Sequence, residues 1–251
     1  MSTSSPLWSA VACTANYATA FTNPLTLYRR ARRNTRAVVE HKPDLFAGTE
    51  LWSPLSRSAF YRVLRNGGTY RHHAAGPRQS VVIAWNAARF KVIGSGAFLL
   101  HPRVVYGRYR RVIADARWCP WVLLQDRATG RRFYLVGLHM TPPATKRGDV
   151  AVRAATRARR DGYANLADWL IAHDGYPVIV LGDFNDEADD VTEALNDRGV
   201  YRIRVAGNMP DFILTRHGRN AELRQRDHDV VPLPSSDHDG AVFATVLAVA
   251  A

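Results

Sequence analysis

Residues 178–185 read Val178-Ile179-Val180-Leu181-Gly182-Asp183-Phe184-Asn185. Four aliphatic side chains in a row, three of them β-branched, describe a strand buried on both faces rather than a turn of helix. The run stops at Gly182, and Asp183 and Asn185 stand at its carboxyl end. Other ligand-type residues occupy the same kind of place. Asn16 follows the apolar run Ala10-Val11-Ala12-Cys13, Glu50 follows Leu45-Phe46-Ala47, and His139 closes the segment 132–138. Asp237 and His238 stand in a loop before the apolar run 241–249. Strand ends that face one edge of a sheet can bring together side chains remote in sequence. Carboxylate and amide oxygens suit a hard cation, Mg²⁺ first and Mn²⁺ second.

Working outward from 178–185, strands are expected at 10–16, 45–50, 80–90, 97–100, 118–125, 132–139, 211–215 and 241–249. The turn Asp126-Arg127-Ala128-Thr129-Gly130 joins two of them as a hairpin. Pro24 opens a helix from Leu25 to about His41, and Pro43-Asp44 ends it. A short helix plus loop is expected from Ser53 to Gly68, and a long basic helix from Gly148 to His173. Asp227-His228-Asp229 reads as an exposed loop and His72-His73 as a polar surface pair. Asp186, Glu187, Asp189 and Asp190 suit the start of a helix after the decisive strand. Early strands, intervening helices and late strands predict one α/β (α+β) domain over residues 1–251. Its architecture is a four-layer sandwich, two mainly antiparallel β-sheets packed face to face with helices outside.

Composition narrows the chemistry. The 251 residues are 47% hydrophobic, enough to bury a large core, and carry a formal charge of +12. A cationic surplus concentrates and steers polyanions, so nucleic acid is the first partner to consider. Phospholipid or a small phosphoester is the second; a solvated arginine surface is the bland alternative. Tyr106-Gly107-Arg108-Tyr109-Arg110-Arg111 interleaves cations with rings that could stack on bases. Arg57, Arg62, Arg65, Arg71 and Arg78 precede it, and Arg153, Arg157 and Arg160 share one helix face. Cys13 and Cys119 lack zinc-site spacing, and no stretch has the length of a membrane helix. Residues 1–21 lack the charge and apolar pattern of a signal peptide, so a soluble, cytoplasmic monomer is expected.

These segments together resemble the endonuclease/exonuclease/phosphatase superfamily, with its deoxyribonuclease I-like fold. Residues 178–185 are similar to its strand-plus-GDFN motif, and Ser236-Asp237-His238 to its SDH motif. Asp211-Phe212-Ile213-Leu214 is similar to its D-aromatic-I-L strand, Thr14-Ala15-Asn16 to its T-x-N, and Gly137-Leu138-His139 to its histidine-bearing strand. Where the family carries Leu-Gln-Glu, this chain has Gly48-Thr49-Glu50.

The resemblance implies a metal-dependent phosphodiester hydrolase. In that reading Asn16, Glu50 and Asp237 hold or orient Mg²⁺, and Asp183 aligns and deprotonates water. Asn185 fixes that water or a phosphate oxygen. His238, oriented by Asp211, donates to a phosphate oxygen, and His139 is a second phosphate contact or general acid. Tyr106, Arg108, Tyr109 and Arg110 are the expected substrate contacts. The leading expectation is a nuclease for DNA or RNA. A phosphatase or phosphodiesterase for lipid headgroups or small phosphoesters is the alternative. A catalytically inactive nucleic-acid-binding module is the third reading; retention of Asp183, Asn185, Asp211 and His238 together argues against it.

Overall fold

A computed structural model describes residues 8–17, 23–76, 80–106, 111–143, 148–208, 210–219, 221–233, 236 and 240–250. The chain runs through β1 (Trp8–Asn16), α1 (Pro24–Glu40), β2 (Leu45–Thr49), α2 (Pro54–Asn66), β3 (Tyr70–Ala74) and β4 (Val82–Asn86). It continues with β5 (Phe90–His101), β6 (Val104–Tyr106), β7 (Arg111–Ala114), β8 (Arg117–Asp126) and β9 (Arg132–His139). Then come α3 (Gly148–Ala172), β10 (Val178–Asp183), α4 (Ala188–Asn196), β11 (Ile203–Asn208), β12 (Asp211–Arg216), β13 (Ala221–Val231) and β14 (Ala241–Ala250).

The strands form two six-stranded sheets, β13-β14-β1-β2-β4-β3 and β11-β12-β10-β9-β8-β5, plus the hairpin β6-β7. Three apolar clusters show the layering. Ala12, Ile83, Leu124, Phe133, Leu181 and Val246 fill the space between the sheets. Leu138, Leu166, Leu170 and Val180 join the second sheet to α3, and Ala31, Val38, Phe46, Phe60 and Leu64 join the first sheet to α1 and α2. This is the expected four-layer sandwich.

Each sheet contains one parallel pair, β1-β2 in the first and β9-β10 in the second. The remaining pairings are antiparallel. A parallel pair needs a crossover, and helices supply both: α1 joins β1 to β2 and α3 joins β9 to β10. The carboxyl ends of these four strands lie at one edge of the sandwich. Ligand sites in open α/β sheets gather at such ends.

Local chemistry explains the helix boundaries. The Asn23 side chain accepts from the Leu25 amide at 2.9 Å and Pro24 occupies the first turn, so α1 starts capped. The Ser53 hydroxyl caps α2 through the Leu55 amide at 3.1 Å, ahead of Pro54. Asp189 and Asp190 fall in the first turn of α4, as expected. Among the described residues, no helix is long and apolar enough to cross a membrane.

Several expectations need correction. The strand expected over 80–90 is broken at 87–89, where the Asn86 side chain accepts from the Ala88 amide at 3.1 Å and turns the chain. Beyond that turn runs one long strand, β5, which absorbs the piece expected at 97–100. Asp227-His228-Asp229 belongs to β13 and not to a loop; the register shifts between Arg226 and His228, so a bulge sits there. His72-His73 needs no such correction: the pair lies on the edge strand β3, with exposed His72 stacked on Tyr61 at 4.0 Å and His73 Nε2 3.0 Å from the Gly96 carbonyl. Cys13 and Cys119 are buried free thiols, both pushed above the ordinary thiol range by burial.

Candidate active site

Strand register assembles the site before any side-chain contact does. Asp183 is paired with His139 on the parallel neighbour β9 and with Asp211 on the antiparallel neighbour β12. One row across three adjacent strands therefore carries a buried imidazole and two buried carboxylates, spaced about 4.8 Å per strand. From the other sheet, Asn16 ends β1 opposite Thr49, and Glu50 follows at once. The two sheets are packed so that β1 and β2 lie over β9, β10 and β12.

Asp183 is held from several sides. The Asn16 amide donates to Asp183 Oδ2 at 3.0 Å, linking the two sheets. The Asn185 backbone amide donates to Asp183 Oδ1 at 2.9 Å. His139 Nε2 lies 3.6 Å from Asp183 Oδ2. Ligand atoms of Glu50, His139 and Asp183 all fall within 4.8 Å of one another. Two carboxylates this close repel, and a cation between them would relieve that repulsion.

The backbone is strained where it supports this cluster. Glu50 has φ 58° and Asn185 has φ 50°, both in the left-handed region. Such a conformation costs a non-glycine residue about 1–2 kcal/mol, less for Asn. The Asn185 side-chain amide donates to the Met140 carbonyl at 3.0 Å, which fixes the side chain. Arg159 of α3 donates to the Asn185 carbonyl at 2.6 Å and forms an ion pair with Asp186, which also accepts from the Tyr163 hydroxyl at 3.0 Å. Asp186 therefore anchors α3 to the turn after β10, and does not serve the start of α4.

Four residues with no mark in the sequence complete the surroundings. Arg117 Nη1 donates to His139 Nδ1 at 2.9 Å and to the Ser80 hydroxyl at 3.2 Å; that hydroxyl lies 2.9 Å from the same Nδ1. A guanidinium only donates, so Nδ1 must accept and the ring proton sits on Nε2, facing Asp183. The guanidinium carbon of Arg117 lies 4.6 Å over the Trp52 ring, whose centroid is 5.9 Å from that of His139. Burial pulls the Arg117 guanidinium down to about 10, against the opposing pull of Asp183 and Glu50. It stays charged at neutral pH. Its Nε is buried without a hydrogen bond among the described residues. Arg159 is the fourth. None has a local marker: arginine is common in this chain, and Arg117 is simply the first residue of an alternating strand.

The other sequence-derived residues divide. Asn16, Glu50, His139, Asp183, Asn185 and Asp211 are at one edge. The Ser236 hydroxyl donates to the Asn16 carbonyl at 3.0 Å, which places that serine at the same edge. Asp237 and His238, and likewise Arg108, Tyr109 and Arg110, lie outside the described residues. Tyr106 ends β6, and Arg153, Arg157 and Arg160 are exposed on α3.

Solved structures with the same fold cover nearly the whole chain. Mannosyl-6-phosphatase from Bacteroides thetaiotaomicron VPI-5482 is 14% identical, with a TM-score of 0.65 over 96% of this chain and 99% of that one. The human Nocturnin catalytic domain with bound sulfate is 14% identical, with a TM-score of 0.67 over 98% and 96%. D. rerio TDP2 complexed with a single-strand DNA product is 12% identical, with a TM-score of 0.64 over 96% and 98%. At these identities the likeness shows the fold alone. No curated protein matches the sequence. The profile of the endonuclease/exonuclease/phosphatase family, however, matches residues 16–238, which takes in Asn16, Glu50, His139, Asp183 and Asp211. On that match the chain belongs to the endonuclease/exonuclease/phosphatase family.

Proposed function

We propose that this family hydrolase is a divalent-metal-dependent nuclease that cuts a phosphodiester by attack of an Asp183-held water. The observation that carries the reading is the meeting of Glu50, His139 and Asp183 ligand atoms within 4.8 Å, contributed by both sheets.

The donor set fits a hard cation. Glu50 supplies a carboxylate at a strained turn, and Asn16, whose amide nitrogen donates to Asp183, carries an amide oxygen of the kind a hard cation accepts. Asp237 is the third proposed ligand. Because the ring proton of His139 sits on Nε2, the imidazole is a hydrogen-bond donor here and Glu50 is the principal ligand. When bound, Mg²⁺ or Mn²⁺ would polarise the phosphate and stabilise the leaving oxygen.

The protein's own groups do the rest. Asp183, fixed by Asn16 and by the Asn185 amide, orients the water and takes its proton. His139 donates from Nε2 to a phosphate oxygen, and Arg117 keeps that proton on Nε2 by occupying Nδ1. The charge on Arg117 offsets the negative charge that builds on the phosphoryl oxygens. Asn185 positions the water through its side-chain oxygen, and His238, backed by Asp211, is a further phosphate donor.

Nucleic acid is the preferred substrate because the chain carries +12 charges and because one similar fold is seen with a DNA strand. The likeness to a sugar phosphatase keeps a small phosphoester as the second reading. A panel of plasmid, RNA, bis(p-nitrophenyl) phosphate, sugar phosphates and sphingomyelin, assayed with Mg²⁺ and with EDTA, tests both. Nucleic acid cleavage lost in EDTA is expected. Cleavage unchanged in EDTA would remove the metal, and turnover of sugar phosphates alone would remove the nuclease.

A further inference from the structure

The helical layer over the first sheet differs in charge from the one over the second. Helices α1 and α2 together carry eight arginines against the single Glu40, a surplus of seven positive charges. Helices α3 and α4 carry four arginines against six carboxylates, a deficit of two. Of the two helical layers, the one over the first sheet therefore carries the positive surplus.

The arrangement on α1 is ordered. Arg29, Arg32, Arg33 and Arg36 are all exposed and follow i, i+3, i+4, i+7 spacing, so they form one stripe. The stripe spans about 10 Å along the helix axis. These side chains line a shallow depression of about 410 Å³ with Ala37 and Glu40. Among the described residues, none of the four makes an ion pair. The arginines of α3 differ: Arg157 and Arg160 each lie 3.6 Å from Asp161, and Arg159 is paired with Asp186. Four like charges on one face repel at i, i+4 spacing, a cost that an external anion would remove. Exposed Arg62 and Arg65 on the neighbouring α2 extend the same field.

The stripe is also aimed. β1 ends at Asn16 in the active-site edge, and α1 starts soon after it and runs back along the flank. Arg29 lies about one and a half turns into that helix, at the end nearer Glu50 and Asp183. We infer that the Arg29–Arg36 face of α1 is a second phosphate-binding surface, which holds the backbone of a nucleic acid as it leaves the active-site edge. The choice of nucleic acid rests on the nuclease reading; the face itself does not. A bilayer suits it less, because Ala31 and Val38 are turned inward against the sheet and, among the described large apolar residues of α1, only Leu25 in the first turn is exposed. An interfacial helix needs such residues outside.

The test is binding in EDTA by fluorescence polarisation across a salt series, using a labelled DNA duplex and an RNA of equal length. One variant combines Arg29→Gln, Arg32→Gln, Arg33→Gln and Arg36→Gln; a second replaces the same four by Lys. A third, the control, combines Arg153→Gln, Arg157→Gln and Arg160→Gln. The glutamine variant of α1 is expected to lose about tenfold or more in affinity. Its salt slope should flatten by about 0.9 for each duplex phosphate that is no longer neutralised. The lysine variant should keep the wild-type slope, and the α3 control should change little. Hydrolysis of bis(p-nitrophenyl) phosphate by the α1 glutamine variant should equal wild type, since none of these residues touches the active site. Wild-type affinity and slope in the α1 glutamine variant would overturn the proposal. So would an equal loss in the α3 control, or binding to phosphatidylserine vesicles with none to nucleic acid. If binding behaves as expected but wild type hydrolyses no phosphodiester, the surface stands and the nuclease reading falls.

Discussion

Carboxylates are buried at both ends of the sandwich, and they are treated in opposite ways. At the amino end of the parallel strands, Arg89 donates to Asp44 at 2.7 Å and to Asp126 at 3.3 Å, and also to the Ser9 carbonyl. Asp126 spends its other oxygen on the amides of Ala128 and Thr129, both at 2.9 Å, which closes the hairpin turn. Each of these charges touches a partner of opposite sign. At the carboxyl end, Glu50 and Asp183 approach each other within 4.8 Å, beside an imidazole whose outward atom is a donor. The near cation, Arg117, is bonded to His139 and Ser80 and acts on both carboxylates through its charge. The first arrangement is glue. The second crowds two carboxylates and an imidazole together over backbone held at positive φ in Glu50 and Asn185.

That contrast can be broken by substitutions whose effects should separate cleanly into rate and stability. The largest effect is expected from Asp183→Asn, which should lower kcat by about a thousandfold or more with little change in Tm. A near-normal rate on bis(p-nitrophenyl) phosphate would remove Asp183 as the base. At the other end, Arg89→Leu should lower stability by about 2 kcal/mol in a urea melt and leave kcat per folded molecule unchanged. Loss of a fully buried pair costs about 3–5 kcal/mol, but Arg89 is 30% exposed. A fall in kcat there would show that the two ends are coupled.

Arg117→Gln sharpens the contrast further. It should lower kcat by about ten- to a hundredfold, as for loss of an oriented donor, and shift the pH–rate profile because the His139 tautomer is released. Arg117→Lys should rescue only weakly, since a point charge cannot reach Nδ1 and Ser80 together while stacking on Trp52. Full rescue would reduce Arg117 to bulk charge.

The smallest effect concerns His101. It is fully buried, with Nδ1 2.9 Å from the Pro102 carbonyl and Nε2 2.7 Å from the Thr141 hydroxyl. Burial lowers its pKa from the ordinary imidazole value. The unfolded chain then binds the proton more readily than the folded one. Its stabilising share is present above the ordinary value near 6.5 and is lost as pH falls through the lower folded value. Denaturant midpoints from pH 7 downward should fall less steeply in His101→Gln than in wild type. Parallel curves would show that His101 does not set the acid limit.

The contrast also explains what can be read in the sequence. Asp183, Asn185 and Glu50 are legible because each comes at or just after the end of a buried strand, so position along the chain reports position at the edge. His139 and Asp211 are legible for a related reason, one closing a strand and the other opening one, and the crossover helices show as long amphipathic runs. Arg117 and Ser80 meet His139 only through tertiary contact, and no local pattern distinguishes Arg117 from the other arginines. Among the strands that the sequence hides, β6 and β7 form a separate hairpin, and β3, β11 and β13 are sheet edges. In β3 and β13 the polar side chains of Arg71, His72, Arg224 and Arg226 are exposed and polar residues such as His73 and Gln225 also point inward, so alternation is diluted and the segments read as loops. The arginine stripe of α1 is hidden for another reason. Only Tyr28 adjoins its four members, which are not interleaved with rings as in Tyr106–Arg111, and they share a face only once the helix is wound.

In the first sheet β14 lies between β13 and β1, aligning Trp8 with Ala248 and Thr14 with Val242. During synthesis β1 therefore emerges long before its antiparallel neighbour exists, and it must wait with one row of amides and carbonyls open. Contacts of such long sequence separation slow folding, and an open edge invites pairing with other nascent chains. The strand that carries Asn16 gains its second neighbour only when β14 arrives, so hydrolytic competence should come late and all at once.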